Sequence, residues 1–461
     1  MVPVAVLNIV GLSPSLLGDA APRLRELARE GGGVRLLRPP LPAVTCTSQA
    51  SMLTGLDPSQ HGIVGNGWFD RELQEVHFWK QSNRLVGGAK VWDRAREIDP
   101  AFTCANLFWW FNMASSADVA VTPRPQYRAD GRKLPDCWTS PTSWRDELQA
   151  DLGPFPLFRF WGPGADIRST DWIAAAARRT AAKFNPTLSL VYLPHLDYPL
   201  QKLGPNHPEI YRHVREVDRV AGSLIDFYRS RGARVLVVSE YGIAEVRRAV
   251  EPNRSLKLAG LLAVRTEDNR QLLDPIASAA FAVCDHQLAH VYVSDPSRVE
   301  HAAEALRALP GVARVLDRHA QREFRIDHPR GGDLVLVSEP DAWFAYPYWD
   351  EGHEPDFART VDIHRKPGYD PCELFLDPAL TFPRLALAWR LFKRKLGFRT
   401  LLDVVPLDPG LVRGSHGRVD VARGLEPVLF GDGLDAFDPP TNDPLLAMTS
   451  VRDAILTALF R

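Results

Sequence analysis

Three apolar runs constrain the fold of this chain more than any other feature. Residues 4–10 (VAVLNIV), Leu188–Leu193 (LSLVYL) and 234–239 (RVLVVS) are near-continuous aliphatic segments, each stopped by a glycine, a proline or a polar cluster. A strand that is apolar on successive rather than alternate residues is buried on both faces, and such strands belong to parallel sheets covered by helices. Amphipathic helical patterns at 22–29, 171–183 and 209–229 alternate with them. This rhythm predicts an α/β sandwich around a largely parallel sheet. A further helix is expected over 86–97 and an aromatic strand over 102–111. The Pro-, Trp- and Gly-rich stretch 123–166 is expected to be an irregular excursion over the carboxyl edge of the sheet.

At 461 residues the chain exceeds what one ordinary core serves. From Ala289 the rhythm changes. Strands at 290–293, Val312–Leu316 and 333–337, with a helix over 296–309, predict a compact β-α-β-β insertion. The expected division is a core over 1–275, an inserted cap over 276–350, and a returning core segment over 351–461 that carries a loop around His416.

The segment 41–66, LPAVTCTSQASMLTGLDPSQHGIVGN, concentrates hydroxyls (Thr45, Thr47, Ser48) before a short helix over 50–53 that stops at Gly55. Hydroxyls there can cap free helix N–H groups. They can equally serve as a nucleophile beside a phosphate held by those N–H groups. The local residues leave both uses open. Cys46 has no arginine in the residues that follow and reads as a core or loop thiol.

In open α/β sheets ligands gather beyond the carboxyl ends of strands. Asn8, Asp197 and Glu240 all lie at or near such ends. His195 lies two residues before Asp197, and the polar stretch 284–290 (CDHQLAH) adds Asp285, His286 and His290 as ligand types. Lys366, with Arg365, and Arg413 are cations that could bind phosphate or pair with acidic neighbours.

The rest is mostly exclusion. There is no G-x-x-x-x-G-K-[ST] loop, no G-x-G-x-x-G after the first strand and no G-x-S-x-G elbow. A net charge of −1 gives nucleic acid no electrostatic purchase. Five scattered cysteines read as reduced thiols, without zinc-binding pairs. A strand that begins almost at Met1 leaves no room for a secretory leader, so a cytoplasmic protein is expected. The basic amphipathic pattern 385–396 reads as a solvated face, with membrane contact as the lesser alternative. Oligomeric state has no sequence signal.

In order along the chain stand Gly11 after the first strand, Thr45 nine residues before Thr54-Gly55-Leu56, His61-Gly62-Ile63, Asp197 with Gly204-Pro205 behind it, Ser239-Glu240-Tyr241-Gly242, and Ser415-His416-Gly417. This series resembles the type I phosphodiesterase and nucleotide pyrophosphatase branch of the alkaline phosphatase superfamily, most specifically through TGLDPSQHGIVGN. The resemblance implies an alkaline-phosphatase-like three-layer sandwich and a metal-dependent hydrolase of a small-molecule phosphate ester or phosphodiester. Thr45 would be the nucleophile. Asp197 and His416 would bind one Zn2+, with Mn2+ as a substitute. The pattern then departs: Val10, Gln201 and Glu240-Tyr241 stand where the family has an Asp, a His and an Asp-His pair. Ser48 stands where a phosphate-holding Asn is implied. Either the site is rebuilt, with Glu240, Asn8, Asp285 and His286 as ligands and Ser48, Lys366 and Arg413 on the substrate, or its second ion is lost. A catalytically reduced binder of a phosphorylated ligand, or a scaffold protein, are the alternative functions.

Overall fold

The computed structural model describes residues 1–129, 132–398, 400–438 and 443–461, with the side chains of residues 384 and 394 excepted. A nine-stranded sheet runs through the core. Its strands are β1 (Val4–Ile9), β2 (Arg35–Arg38), β3 (Cys104–Leu107), β4 (Val119–Pro123), β5 (Cys137–Ser140), β6 (Leu188–Leu193), β7 (Arg234–Val238), and two late strands, Val428–Gly431 and Leu445–Ala447. Strands β7, β1, β6, β3 and β4 lie side by side and parallel. The register sets Asn8 of β1 beside Tyr192 of β6 and Val238 of β7. Every residue of β1 and β6 is buried, as the unbroken apolar runs require.

Among the helices are α1 (Pro22–Glu30), α2 (Thr45–Thr54), α3 (Ile167–Phe184), α4 (Asp197–Leu203) and α5 (Ile210–Ser230). On one side α1 and α3 pack against α5; α2 packs with the C-terminal helix Val451–Phe460, which also touches β1. Several expectations shift here. The helix expected over 50–53 starts at Thr45. The strand expected over 102–111 ends at Leu107, because Phe108 and Phe111 take positive φ and turn the chain. The stretch 123–166 is less irregular than its composition suggests. It supplies edge strand β5, which pairs antiparallel with β4, and the helix Ser143–Leu152.

A second, four-stranded antiparallel sheet is built from Ala280–Asp285, Leu288–Val293, Val312–Leu316 and Leu334–Ser338. It is β-β-α-β-α-β, not β-α-β-β. The buried run 280–285 was missed because it merges in sequence with the polar turn that follows it. That turn, at His286 (φ 60) and Gln287, reaches the His416 loop: Gln287 N–H donates to the His416 carbonyl.

The basic helix forms at Pro383–Lys395, with Leu385, Trp389 and Phe392 exposed along it. Arg399 and the Arg394 side chain, parts of its basic run, lie outside the described residues. Among the described residues no helix is long and apolar enough to cross a membrane.

Candidate active site

Helix α2 is the element on which the site is built. All ten of its residues are buried, and it closes on Gly55 in the left-handed conformation (φ 67). Its cap position is Val44, which has no side-chain oxygen, so Thr45 is the first helical residue and not a cap. The N–H of Cys46, which has no acceptor within the helix, is met from outside it by Asn66 Oδ1 at 3.1 Å. Asn66 is itself fixed by Asp285, whose oxygens accept from Asn66 N–H (2.7 Å) and Nδ2 (3.0 Å).

With capping excluded, the Thr45 hydroxyl makes a longer connection. Its Oγ1 lies 3.0 Å from the Tyr241 hydroxyl, and Tyr241 donates to Asp197 Oδ1 at 3.2 Å. The other Asp197 oxygen accepts from Gln201 Nε2 at 2.8 Å, and Tyr369 donates to Gln201 Oε1 at 2.9 Å. Residues from α2, α4 and the end of β7 thus form one chain of polar contacts, nearly closed to solvent: Thr45 is 5% and Asp197 8% exposed. Burial raises the Asp197 carboxyl to about 7, against the hydrogen bonds from Gln201 and Tyr241 that favour its charge.

His416 approaches the same carboxylate. Its Nδ1 is 2.8 Å from the Ala43 carbonyl, which can only accept, so Nδ1 carries the proton and Nε2 presents a lone pair. Nε2 is buried without a hydrogen-bond partner, 3.9 Å from Asp197 Oδ1. Burial lowers its imidazole to about 3 and keeps it neutral. Tyr241 stacks on one side of His416 at 3.5 Å, and His286 lies 3.6 Å from it between ring centroids.

Glu240 closes the site from β7. One oxygen accepts from Asn8 Nδ2 (2.7 Å) and Gln49 Nε2 (2.5 Å); the other is buried without a partner. Burial pushes this carboxyl up to about 8, against the hydrogen bonds from Gln49 and Asn8 that favour its charge. Ser48 donates its hydroxyl to the Glu240 carbonyl at 3.2 Å.

Thr45, Ser48, Asp197, Glu240, Asn8 and His416 therefore gather around the entrance of α2, with His286 stacked at the edge. Asp285 is occupied by Asn66. His195 turns away from Asp197 to α5, and His290 spans Val64 O and Gly332 N. The two cations proposed for phosphate stand in different surroundings. Lys366 is sealed between Asp370 (2.7 Å) and Glu373 (2.8 Å), and Arg413 is exposed. Four connecting residues went unread as site members: Tyr241, Gln201, Gln49 and Asn66. Tyr241 and Gln201 carried a signal, since they occupy positions where the resemblance called for metal-binding histidines.

The family description "Type I phosphodiesterase / nucleotide pyrophosphatase" matches residues 4–370. The chain belongs to this family. It is 25% identical over 234 residues to an uncharacterized pyrophosphatase/phosphodiesterase of Schizosaccharomyces pombe, covering 48% of this chain and 41% of that protein. It is 21% identical over 239 residues to ectonucleotide pyrophosphatase/phosphodiesterase family member 1 of Mus musculus, covering 50% and 22%. The chain thus spans less than half the length of these relatives. In fold it is similar to the phosphonoacetate hydrolase of Sinorhizobium meliloti, crystallised with phosphonoformate, with TM-score 0.61, 18% identity, and 99% and 96% of the two chains covered. It is similarly related to murine ectonucleotide pyrophosphatase/phosphodiesterase 5 in an inactive form with AMP, with TM-score 0.58, 14% identity, and 100% and 95% covered.

The residues present include one donor pair that fits a divalent ion. Between Asp197 Oδ1 and His416 Nε2, an orphaned imidazole lone pair faces a carboxylate, which is the donor pair a divalent cation takes. At Glu240 one oxygen is claimed by two amides and the other is buried without a partner, while Val10 of the first strand run is buried and offers no ligand atom.

Proposed function

We propose that the protein hydrolyses a small-molecule phosphate ester or phosphodiester, with Thr45 attacking phosphorus. The observation that carries this reading is the continuous contact Thr45–Tyr241–Asp197 at the entrance of a buried helix. A hydroxyl needs a route for its proton before it can act as a nucleophile at neutral pH. Here the Thr45 proton passes to the Tyr241 oxygen while the Tyr241 proton passes to Asp197 Oδ1, a carboxylate whose burial makes it more basic than usual. The first turn of α2 favours the phosphoryl oxygens through its N–H groups and dipole. Glu240, held neutral by burial, places a carboxylic acid rather than a second anion beside an anionic substrate. Asp197 and His416 would hold a divalent ion, zinc in first place, which when bound would supply Lewis-acid polarisation and lower the basicity of the Asp197 carboxylate. Five buried free thiols agree with a reducing, cytoplasmic setting.

The amide-bound Glu240 and buried Val10 also favour a second reading, in which the site binds a phosphorylated ligand with little turnover. One experiment separates the two. The purified protein is assayed on an aryl phosphodiester and an aryl phosphomonoester beside Thr45→Ala. Turnover abolished in a folded Thr45→Ala protein supports hydrolysis. Activity retained by that variant removes Thr45 from the mechanism, and binding without turnover in the parent supports the second reading.

A further inference from the structure

On the far side of the Asp197 loop, three ligand atoms converge that the Thr45 site does not use. His195 leaves the end of β6 and is buried. His213 and Glu216 lie three residues apart in the first turns of α5, a spacing that puts them on one face. His195 Nε2 is 3.1 Å from His213 Nδ1 and 3.0 Å from Glu216 Oε2, and His213 Nδ1 is 3.1 Å from the same oxygen. Among the described residues this is the group of three His, Cys, Asp or Glu side chains whose ligand atoms all lie within 4.8 Å of one another.

Hydrogen bonds cannot close such a triangle. Two neutral imidazoles bring at most one proton each to these three atoms. If both protons face inward, each can go to the carboxylate, but the two N–H groups then oppose one another across 3.1 Å. If only one faces inward, a nitrogen lone pair is left against a carboxylate oxygen or against the other nitrogen. A cation removes the conflict, because all three atoms then direct lone pairs to the same centre. Tetrahedral zinc with bonds of about 2.0–2.1 Å sets its ligands roughly 3.3 Å apart, close to the spacing found here.

We propose that His195, His213 and Glu216 bind a first-row divalent metal, zinc in first place, at a site separate from Thr45. Two imidazoles and one carboxylate are a donor set that zinc accepts, with a fourth position left for water. The Glu216 and His213 side chains are 30% and 15% exposed, which opens that position to solvent, while His195 at 2% anchors the inner side. Arg212, whose guanidinium lies 3.3 Å from His213 Nε2, is a cation at the rim of the cluster; its side chain is 62% exposed and pairs with Glu209 at 3.4 Å. The metal would be a staple. It would tie the start of α5 to the loop whose next residue but one is Asp197, and so hold the carboxylate that faces Tyr241.

The test uses Asp197→Asn/His416→Ala protein as background, so that an ion at the other site does not confuse the count. After equilibration with zinc and gel filtration, this protein should retain one equivalent, and Co2+ in its place should show the intense visible bands of tetrahedral coordination. Adding His213→Ala or the near-isosteric Glu216→Gln should remove that equivalent and weaken zinc binding at least about 100-fold, with the far-ultraviolet dichroism of the background unchanged. Zinc bound equally well after both substitutions would overturn the proposal. So would a background protein that binds neither zinc nor cobalt, which needs no further variant to fold. Neither result bears on whether Thr45 is a nucleophile.

Discussion

Tyr241 lies flat against His416, with ring centroids 3.5 Å apart and planes within 7° of parallel, while its hydroxyl bridges Thr45 and Asp197. The stack fixes the phenol's plane, and the bridge uses its only polar atom. A residue that stands where a ligand was expected has become the connection between Thr45 and Asp197. Its ring and its hydroxyl do separable work.

Tyr241→Phe tests the hydroxyl alone. The ring still packs on His416, so the thermal midpoint should stay close to the parent's. Removing the path between Thr45 and Asp197 should cut kcat by about 100-fold or more, the usual scale of general-base assistance, with a much smaller change in KM. Parent-like kcat in the Phe variant would mean that Thr45 loses its proton elsewhere.

Glu240→Gln should make the protein more stable, increasingly so as pH rises. The Glu240 carboxyl sits at about 8 when folded, against about 4.3 for an ordinary Glu. A group whose pKa is raised by folding contributes stability that is complete below its unfolded pKa and is lost as pH rises to the folded value. The parent therefore loses ground between about pH 4 and pH 8, on the order of a few kcal/mol. Glutamine cannot titrate, yet it keeps an oxygen for Asn8 and Gln49. Denaturant midpoints at pH 5 and pH 9 should show the gap widening in favour of Gln. A constant gap would mean that Glu240 is already ionised, or is matched by a cation.

Asp197→Asn and His416→Ala should each remove the same single equivalent of divalent metal, because the two residues, far apart in the sequence, face one another across 3.9 Å. Metal analysis after equilibration with zinc reads this directly, and chelation of the parent should lower turnover in parallel. Stoichiometry unchanged in both variants would leave His416 a packing residue. Loss of two equivalents would restore a second ion beside Glu240.

The sheet was legible because its physics is local. Runs such as VAVLNI and LSLVYL have one stable use, a strand covered on both faces, and their ends brought Asn8, Asp197 and Glu240 together without knowledge of any contact. The site's wiring was not legible in the same way. Whether Thr45 caps a helix or begins one depends on Val44 being extended and on Asn66 arriving from another turn. Whether His195 faces Asp197 or α5 depends on how a three-residue loop turns, which spacing does not encode. Glutamine and tyrosine at expected ligand positions read as losses in sequence, and only distances such as Gln201 to Asp197 show them as partners.

Lys366 shows how far a charge can mislead until its surroundings are known. In sequence it is a cation in a polar loop, suited to a phosphate. In the fold its side chain is 1% exposed, and its ammonium lies 2.7 Å from Asp370 and 2.8 Å from Glu373. Glu373 is held in turn by Trp161 Nε1 and the Asp362 N–H. Coulombic attraction to these two carboxylates outweighs burial, so the ammonium stays charged and committed to them. Lys366→Met keeps the volume and removes the charge, which leaves two buried carboxyls facing one another without a cation. Breaking a buried pair in this way costs about 3–5 kcal/mol, so the denaturant midpoint should fall sharply. KM for a phosphate ester should stay at the parent value in the fraction that remains folded. A variant of parent-like stability with a raised KM would return Lys366 to the substrate.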